Sequence, residues 1–219
     1  MEDNNTTPLL PSKGLDIAFH GMGTCTDTDL VIPDSVTTIY DCAFLEAKIK
    51  SLYIPKSVTT LSRDALIGGN QLETIEIAKD NPVYHSANNC IIETATKTLF
   101  KGIANSIIPA DGSVEHIGVG AFNYCYNLYT IDIPFGVKSI DDSAFKLSGL
   151  RHISIPNSVK KIGWTAFYSL SLQSIKFNGT KEQWYAIEKD KEWRYDTRDY
   201  ELKVYCTNTT LTYKHKTDD

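Results

Sequence analysis

A chain of 219 residues, 42% hydrophobic and 22% charged, has the make-up of an ordinary globular protein. Its net charge is −5, with Lys and Arg interspersed among Asp and Glu and no basic block, which argues against a nucleic-acid partner. No apolar run approaches the length of a membrane-spanning helix, so membrane insertion is not expected.

Residues 1–14 are polar and acidic and are read as a flexible tail. They lack the basic and apolar stretches of an export signal, so either the protein is not exported or a signal has been removed from the chain. Residues 15–213 are read as one domain. Leu15 to Phe19 and Thr28 to Ile32 flank Gly21-Met22-Gly23, which predicts a hairpin that caps the domain and supplies its first strand.

A cassette then returns about every 22 residues. Its copies are Ile32-Pro33, Val36, Ile39, Ala43-Phe44; then Ile54-Pro55, Val58, Leu61, Ala65-Leu66; then Ile133-Pro134, Val137, Ile140, Ala144-Phe145; then Ile155-Pro156, Val159, Ile162, Ala166-Phe167. A fifth copy, Ile108-Pro109, Val114, Ile117, Ala121-Phe122, carries two extra residues after Pro. A fixed period of roughly 20–29 residues implies a solenoid, which presents a surface more readily than a catalytic pocket. The fold class expected is therefore a strand-rich α/β-type repeat solenoid.

Within one unit, Ile153 and Ile155 alternate with Ser154, so both isoleucines face inward. Pro156 ends the strand and Asn157-Ser158 turns the chain. Stacked in register, these strands predict one parallel sheet along one side of the solenoid. Ile54, Ile133 and Ile155 line its inner face, and Phe44, Phe122, Phe145 and Phe167 form an interior column with Leu66 in place of one ring. Repeats are expected over 33–77 and 108–177. Between them, over 78–107, the pattern breaks. Cys90 to Glu93 and Thr98 to Lys101 flank a polar turn, which predicts an inserted hairpin, either a protrusion or a longer coil. After residue 178, Thr180-Lys181-Glu182-Gln183 reads as a capping box that opens a helix to about Lys189. Trp184, Ile187, Trp193 and the strand-like runs Leu202 to Tyr205 and Thr210 to Tyr213 complete a C-terminal cap, with ligand stacking the alternative for the two tryptophans. Residues 214–219 are read as a tail.

Nothing in the pattern points to chemistry. Cys25, Cys42, Cys90, Cys125 and Cys206 show no metal or disulfide spacing and are read as structural thiols. His20, His85, His116, His152 and His215 are scattered, and Asp141-Asp142 is read as a solvated turn. Asp27 and Asp29 lack the other ligands of a calcium loop, the Asn-x-Ser/Thr triplets are read as chance, and the charged run from Lys189 is read as a wet face of the cap. No cofactor, metal or catalytic residue is expected. The outward strand positions are the candidate binding residues: Tyr53, Glu76, Tyr129, Asp132, Arg151, His152 and Lys176. Tyr and Arg are the usual anchors of interfaces, and Tyr also stacks on sugars.

The five cassettes resemble the BspA-like leucine-rich repeats of bacterial surface proteins. Gly21 to Pro33, Asn81-Pro82-Val83-Tyr84 with Cys90 to Phe100, and Phe177 to Ile187 are similar to that family's entry, hairpin and end unit. The resemblance implies a right-handed leucine-rich-repeat superhelix and an extracellular or cell-surface protein that binds a protein or glycan without catalysis. The Asn ladder of ordinary leucine-rich repeats is absent, with Pro at the strand end. A monomer is expected. A structural spacer within a larger surface protein and an intracellular interaction scaffold are the alternatives, since no export signal is visible.

Overall fold

The computed structural model describes residues 28–44, 47–67, 71–169, 171–194 and 201–214. The expected N-terminal hairpin lies outside them as far as residue 27, as do the tails apart from Lys214. In chain order the first half runs β1 (Asp29–Val31), β2 (Thr38–Ile39), β3 (Ser51–Ile54), β4 (Thr60–Leu61) and β5 (Thr74–Ile77). A meander follows, of β6 (Tyr84–Ala87), β7 (Cys90–Glu93) and β8 (Thr98–Gly102). The second half runs β9 (His116–Ile117), β10 (Thr130–Asp132), β11 (Ser139–Ile140), β12 (His152–Pro156), β13 (Lys161–Ile162) and β14 (Ser174–Asn178). It closes with α1 (Lys181–Ala186), β15 (Glu188–Lys189), β16 (Leu202–Tyr205) and β17 (Thr210–Tyr213).

The cassette spacing is turn geometry. The Val amide donates to the Pro carbonyl three residues back, as Val36 to Pro33, Val58 to Pro55, Val137 to Pro134 and Val159 to Pro156, and so closes a β-turn. In the long copy the two extra residues are held by Asp111, whose Oδ1 accepts from the Ser113 amide at 2.9 Å and from its hydroxyl at 2.6 Å. A second turn sets the Ala corner: the amides of Ala43, Ala65, Ala121, Ala144 and Ala166 donate to Tyr40, Ser62, Gly118, Asp141 and Gly163.

In four of these corners the residue before Ala has positive φ: Cys42 at 57°, Gly120 at 65°, Ser143 at 56° and Thr165 at 47°. That conformation turns its N–H toward the next coil. Cys42 donates to Asp64 O, Gly120 to Asp142 O, Ser143 to Trp164 O and Thr165 to Glu192 O. The ring residues repeat the pattern, as Phe122 to Ala144 O and Phe145 to Ala166 O. Coils are thus laced through backbone bonds on the turn side as well as through strands.

Two expectations are corrected. The strand side carries two parallel sheets, not one: β1-β3-β5 and β10-β12-β14-β16, the latter finished by antiparallel β17. The break falls at the long cassette, where Ile108 reaches the core but residues 103–115 form no strand. The free edge of β5 is sealed by side chains instead, the Ile75 amide donating to Asn89 Oδ1 and the Ile77 amide to Ser86 Oγ. Second, helix contributes little, so the fold is a strand-rich solenoid and not an α/β one. The Thr180 capping box forms as the sequence signals, yet α1 is only six residues long. Ile187 leaves the helix at ψ 126°, and Glu188 and Lys189 pair with Lys161 and Ile162 of β13. The seven-stranded sheet β15-β13-β11-β9-β8-β7-β6 therefore takes residues that helical spacing had claimed.

The meander is neither a protrusion nor a simple long coil. It divides the interior in two. Ile91, Phe100 and Ile103 pack in a first core with Val36, Phe44, Ile54, Leu66 and Ile77. Cys90, Ile92 and Leu99 pack in a second core with Phe122, Ile133, Phe145, Ile155 and Phe167. The aromatic column is interrupted at the same place. Phe122 and Phe145 stack at 5.2 Å, and Phe145 and Phe167 at 5.5 Å, with planes within 3°. Phe44 belongs to the other core, because the end of β8 lies between. Gly102 makes room there: a Cβ on it would lie 2.1 Å from Phe122 Cε1. Trp184 and Trp193 pack within the second core, edge-on at 5.9 Å, and Trp184 Nε1 donates to Tyr213 Oη at 2.7 Å.

Candidate binding face

Period 2 places one row of each strand outward. On the second sheet the parallel register aligns Thr130, His152, Ser174 and Lys203 in one row and Asp132, Ser154, Lys176 and Tyr205 in the next. Tyr129 and Arg151 stand just before β10 and β12. The Arg151 guanidinium lies 5.3 Å from the Tyr129 ring centroid, and the Arg151 amide donates to Tyr129 O at 2.9 Å. Tyr129 is 52% exposed, so the pair faces solvent. His152 Nδ1 bonds Ser174 Oγ at 2.9 Å, which ties its ring to the neighbouring strand of the row.

Five of the seven sequence-derived candidates therefore meet on this sheet: Tyr129, Asp132, Arg151, His152 and Lys176. Tyr53 and Glu76 do not join them. They pair with each other on the first sheet, beside Val31, across the break. The two sheets also differ in charge. Arg151, Lys176 and Lys203 outnumber Asp132 and Glu201 on the second, while the outward acids Asp29 and Glu76 mark the first. Lys203 and Tyr205 were missed because residues 202–205 read as cap, yet the alternation of Leu202 and Val204 was the signal that they extend the sheet.

Other polar groups have structural work. His116 Nδ1, Ser139 Oγ and Asp141 Oδ1 form a chain with 2.8 Å links. The hydroxyl sits in the middle, whereas a Ser-His-Asp relay has the imidazole there. Asp141 and Asp142 diverge, the latter accepting from the Trp164 amide at 2.8 Å. Burial pushes the Cys90 thiol up to about 12 and the Cys125 thiol to about 11, which keeps both protonated. The run from Lys189 corrects a further expectation, since it is not simply a wet face. The Lys189 ammonium donates to the carbonyls of Trp184 and Ile187 and lies 4.8 Å from the Trp184 ring centroid. Burial brings it down to about 8.

On the seven-stranded side, Glu115 bonds both Lys138 and Lys97, and these bonds hold its carboxyl down at about 2. A depressed acid stabilises the fold above its unfolded pKa and loses that contribution as pH falls through the folded one. Glu115→Gln is therefore expected to remove an acid-labile contribution that wild type loses between about pH 4.5 and 2. Both lysines are exposed, so the difference is small and shrinks with salt. Urea unfolding at pH 7 and pH 2 in low and high salt measures it. Equal wild-type and variant stabilities at pH 7 in low salt overturn the assignment.

Among the described residues no helix is long and apolar enough to cross a membrane, and no group of three metal-binding side chains gathers. A family model described as BspA type leucine rich repeat region matches the chain in 6 copies, over residues 16–90 and 86–187. Curated proteins give no match. Among solved structures, a leucine-rich repeat protein from Eubacterium ventriosum is similar with a TM-score of 0.56 and 26% identity. That match covers 68% of this chain and 42% of the other, so the chain spans less than half of that protein. A leucine rich cell surface protein from Faecalibacterium prausnitzii matches at 24% identity and TM-score 0.38, over 72% of this chain and 55% of its own. The pneumococcal vaccine antigen PcpA matches at 16% and 0.46, over 69% and 51%. Both of these superpose too loosely to bear on the argument.

Proposed function

The chain belongs to the BspA-type leucine-rich-repeat family, and from that premise we propose that it is a non-catalytic recognition module at the cell surface or outside the cell. The outer face of β10-β12-β14-β16 takes the partner, a protein or a glycan. The observation that carries this reading is the exposed Tyr129–Arg151 pair on a face whose cations, Arg151, Lys176 and Lys203, take no ion-pair partner among the described residues. Planar side chains held against each other lose little freedom on binding, which is why Tyr and Arg anchor interfaces.

The test is a screen of the full chain against matrix proteins and a glycan array, with the Tyr129→Ala, Arg151→Ala, His152→Ala triple variant beside it. Truncating anchors of this kind costs about 2 kcal/mol or more, roughly a thirtyfold loss of affinity. The three sites are on the surface, so the melting curve should stay close to that of wild type. Tyr53→Ala is the control across the break and should leave such binding intact. A second reading, a spacer segment of a longer surface protein, is favoured by the share of the Eubacterium relative that this chain covers, 42%. It predicts no ligand, or one that the triple variant still binds at full strength.

A further inference from the structure

We propose that Lys101 and Asn123 become joined by an intramolecular isopeptide bond that the folded chain forms by itself, with Asp64 carrying the proton. Three side chains from three different coils meet at the boundary between the two cores. Lys101 is the next-to-last residue of β8, where Ile91 pairs with Lys101 and Ile92 with Leu99, so that Phe100 is the extra residue of a β-bulge. Bulges re-aim the side chains next to them. Lys101 is 4% exposed, and its Nζ contacts Asn123 Oδ1 and donates to Gly120 O at 3.1 Å. Asn123 Nδ2 in turn donates to Asp64 Oδ1 at 3.1 Å. The nucleophile therefore touches the oxygen of the amide, and a carboxylate holds its leaving nitrogen.

An ordinary lysine ammonium would not attack an amide. This one is desolvated, and burial lowers it to about 8 against the opposing pull of Asp64. About a tenth of the molecules then hold a neutral amine at pH 7. The enclosure also brings the two reactants together as one unit, which replaces a bimolecular encounter. Gly120 permits the approach: a Cβ there would press on Asn123 at 3.3 Å, and its φ of 65° suits glycine.

The step balances without any co-reactant. The lone pair of Nζ attacks Asn123 Cγ, and an N–Cγ bond forms. The Cγ–Nδ2 bond then breaks. Asp64 takes the proton that Nζ sheds and hands it to Nδ2, which leaves as ammonia. A cavity of about 20 Å³ lined by Lys101, Asn123, Tyr124, Cys125 and Leu66 adjoins the site and has room for one small molecule of that size. The product ties the meander covalently to the coil that follows it, across the joint between the two cores.

Mass spectrometry of the purified full chain tests this. The intact chain should weigh less than its sequence by one ammonia. Ring closure at Asn178-Gly179 would give the same loss, so the linkage itself must be read. Trypsin should fail to cut after Lys101 and release 98–138 as one piece. Cleavage after Glu115 should then leave 98–115 and 116–138 still joined. Free 116–138 at its full sequence mass, with cutting after Lys101, overturns the proposal. Lys101→Arg and Asn123→Ala should each abolish the joined species. Asp64→Asn keeps the shape of the site but cannot carry the proton, and its chain should remain unjoined. A joined Asp64→Asn chain overturns the role given to Asp64.

Discussion

Phe145→Ala should lower the free energy of unfolding by about 3–5 kcal/mol, as truncations of buried aromatics do. Phe145 is fully buried at the centre of the only continuous ring stack among the described residues, with Phe122 on one side at 5.2 Å and Phe167 on the other at 5.5 Å. The site cannot collapse onto the missing ring. Its own backbone is pinned, the Phe145 amide to Ala166 O and the Phe122 amide to Ala144 O, so the cavity persists. A solenoid also couples each coil to its neighbours alone, so the loss falls on the two interfaces that the Phe145 coil makes, with the Phe122 coil and with the Phe167 coil. Phe44→Ala is the comparison. Phe44 is as deeply buried but shares its core with Leu66 instead of a ring stack. It should lose less by about the stacking contribution, 0.5–1.5 kcal/mol. Urea unfolding of both variants measures the difference. A Phe145→Ala chain within 1 kcal/mol of wild type, an outcome outside the usual range for such a change, would falsify the stacked-core assignment.

The repeat was legible because each of its constraints is local. A turn of fixed length joins Pro to Val, a second joins the corner to Ala, and period 2 sets the inward isoleucines. Each constraint writes a residue at a fixed spacing. The break between the sheets was not legible, because the long cassette keeps Ile108 in the core while losing the strand before it. Inward residues record burial, whereas strand pairing depends on backbone groups that every residue carries. The same limit hid the division of the core. Cys90, Ile91 and Ile92 read as one apolar run, and only a strand with a core on each face requires apolar residues in succession. At the binding face, single outward residues could be named, but their grouping depended on that break. Tyr53 and Glu76 fell on the wrong side of it. The Lys101, Asn123 and Asp64 contact joins positions 59 residues apart in sequence, and no spacing rule reaches that far.

Removing everything after Asn178 should turn a soluble chain into an aggregating one. The reason lies in what the cap covers. Phe177 packs edge-on against Trp184 at 5.2 Å, and Phe167 against Trp193 at 5.9 Å. Each such ring buries about 150–250 Å². Without the cap, Phe167, Ile175 and Phe177 would open together at one end. The backbone loses cover as well. β14 would lose β16 from Ser174 to Lys176, and β13 would lose β15 at Lys161 and Ile162. Two bare parallel edges beside an apolar end are a template for pairing with another copy. The intact chain ends its strand-side sheet differently. β17 turns back antiparallel on β16, and its exposed pattern of Thr210, Thr212 and half-buried Leu211 presents a polar last strand. Light scattering coupled to size exclusion would distinguish the outcomes, with the full-length Trp184→Ala chain as the intermediate case. That variant should keep both edges paired while losing about 3–5 kcal/mol of core contact, and so should be less stable but still monodisperse. A truncated chain that stays monomeric and unfolds cooperatively would show that the last coil closes itself, and that the tryptophans of the cap serve some other purpose.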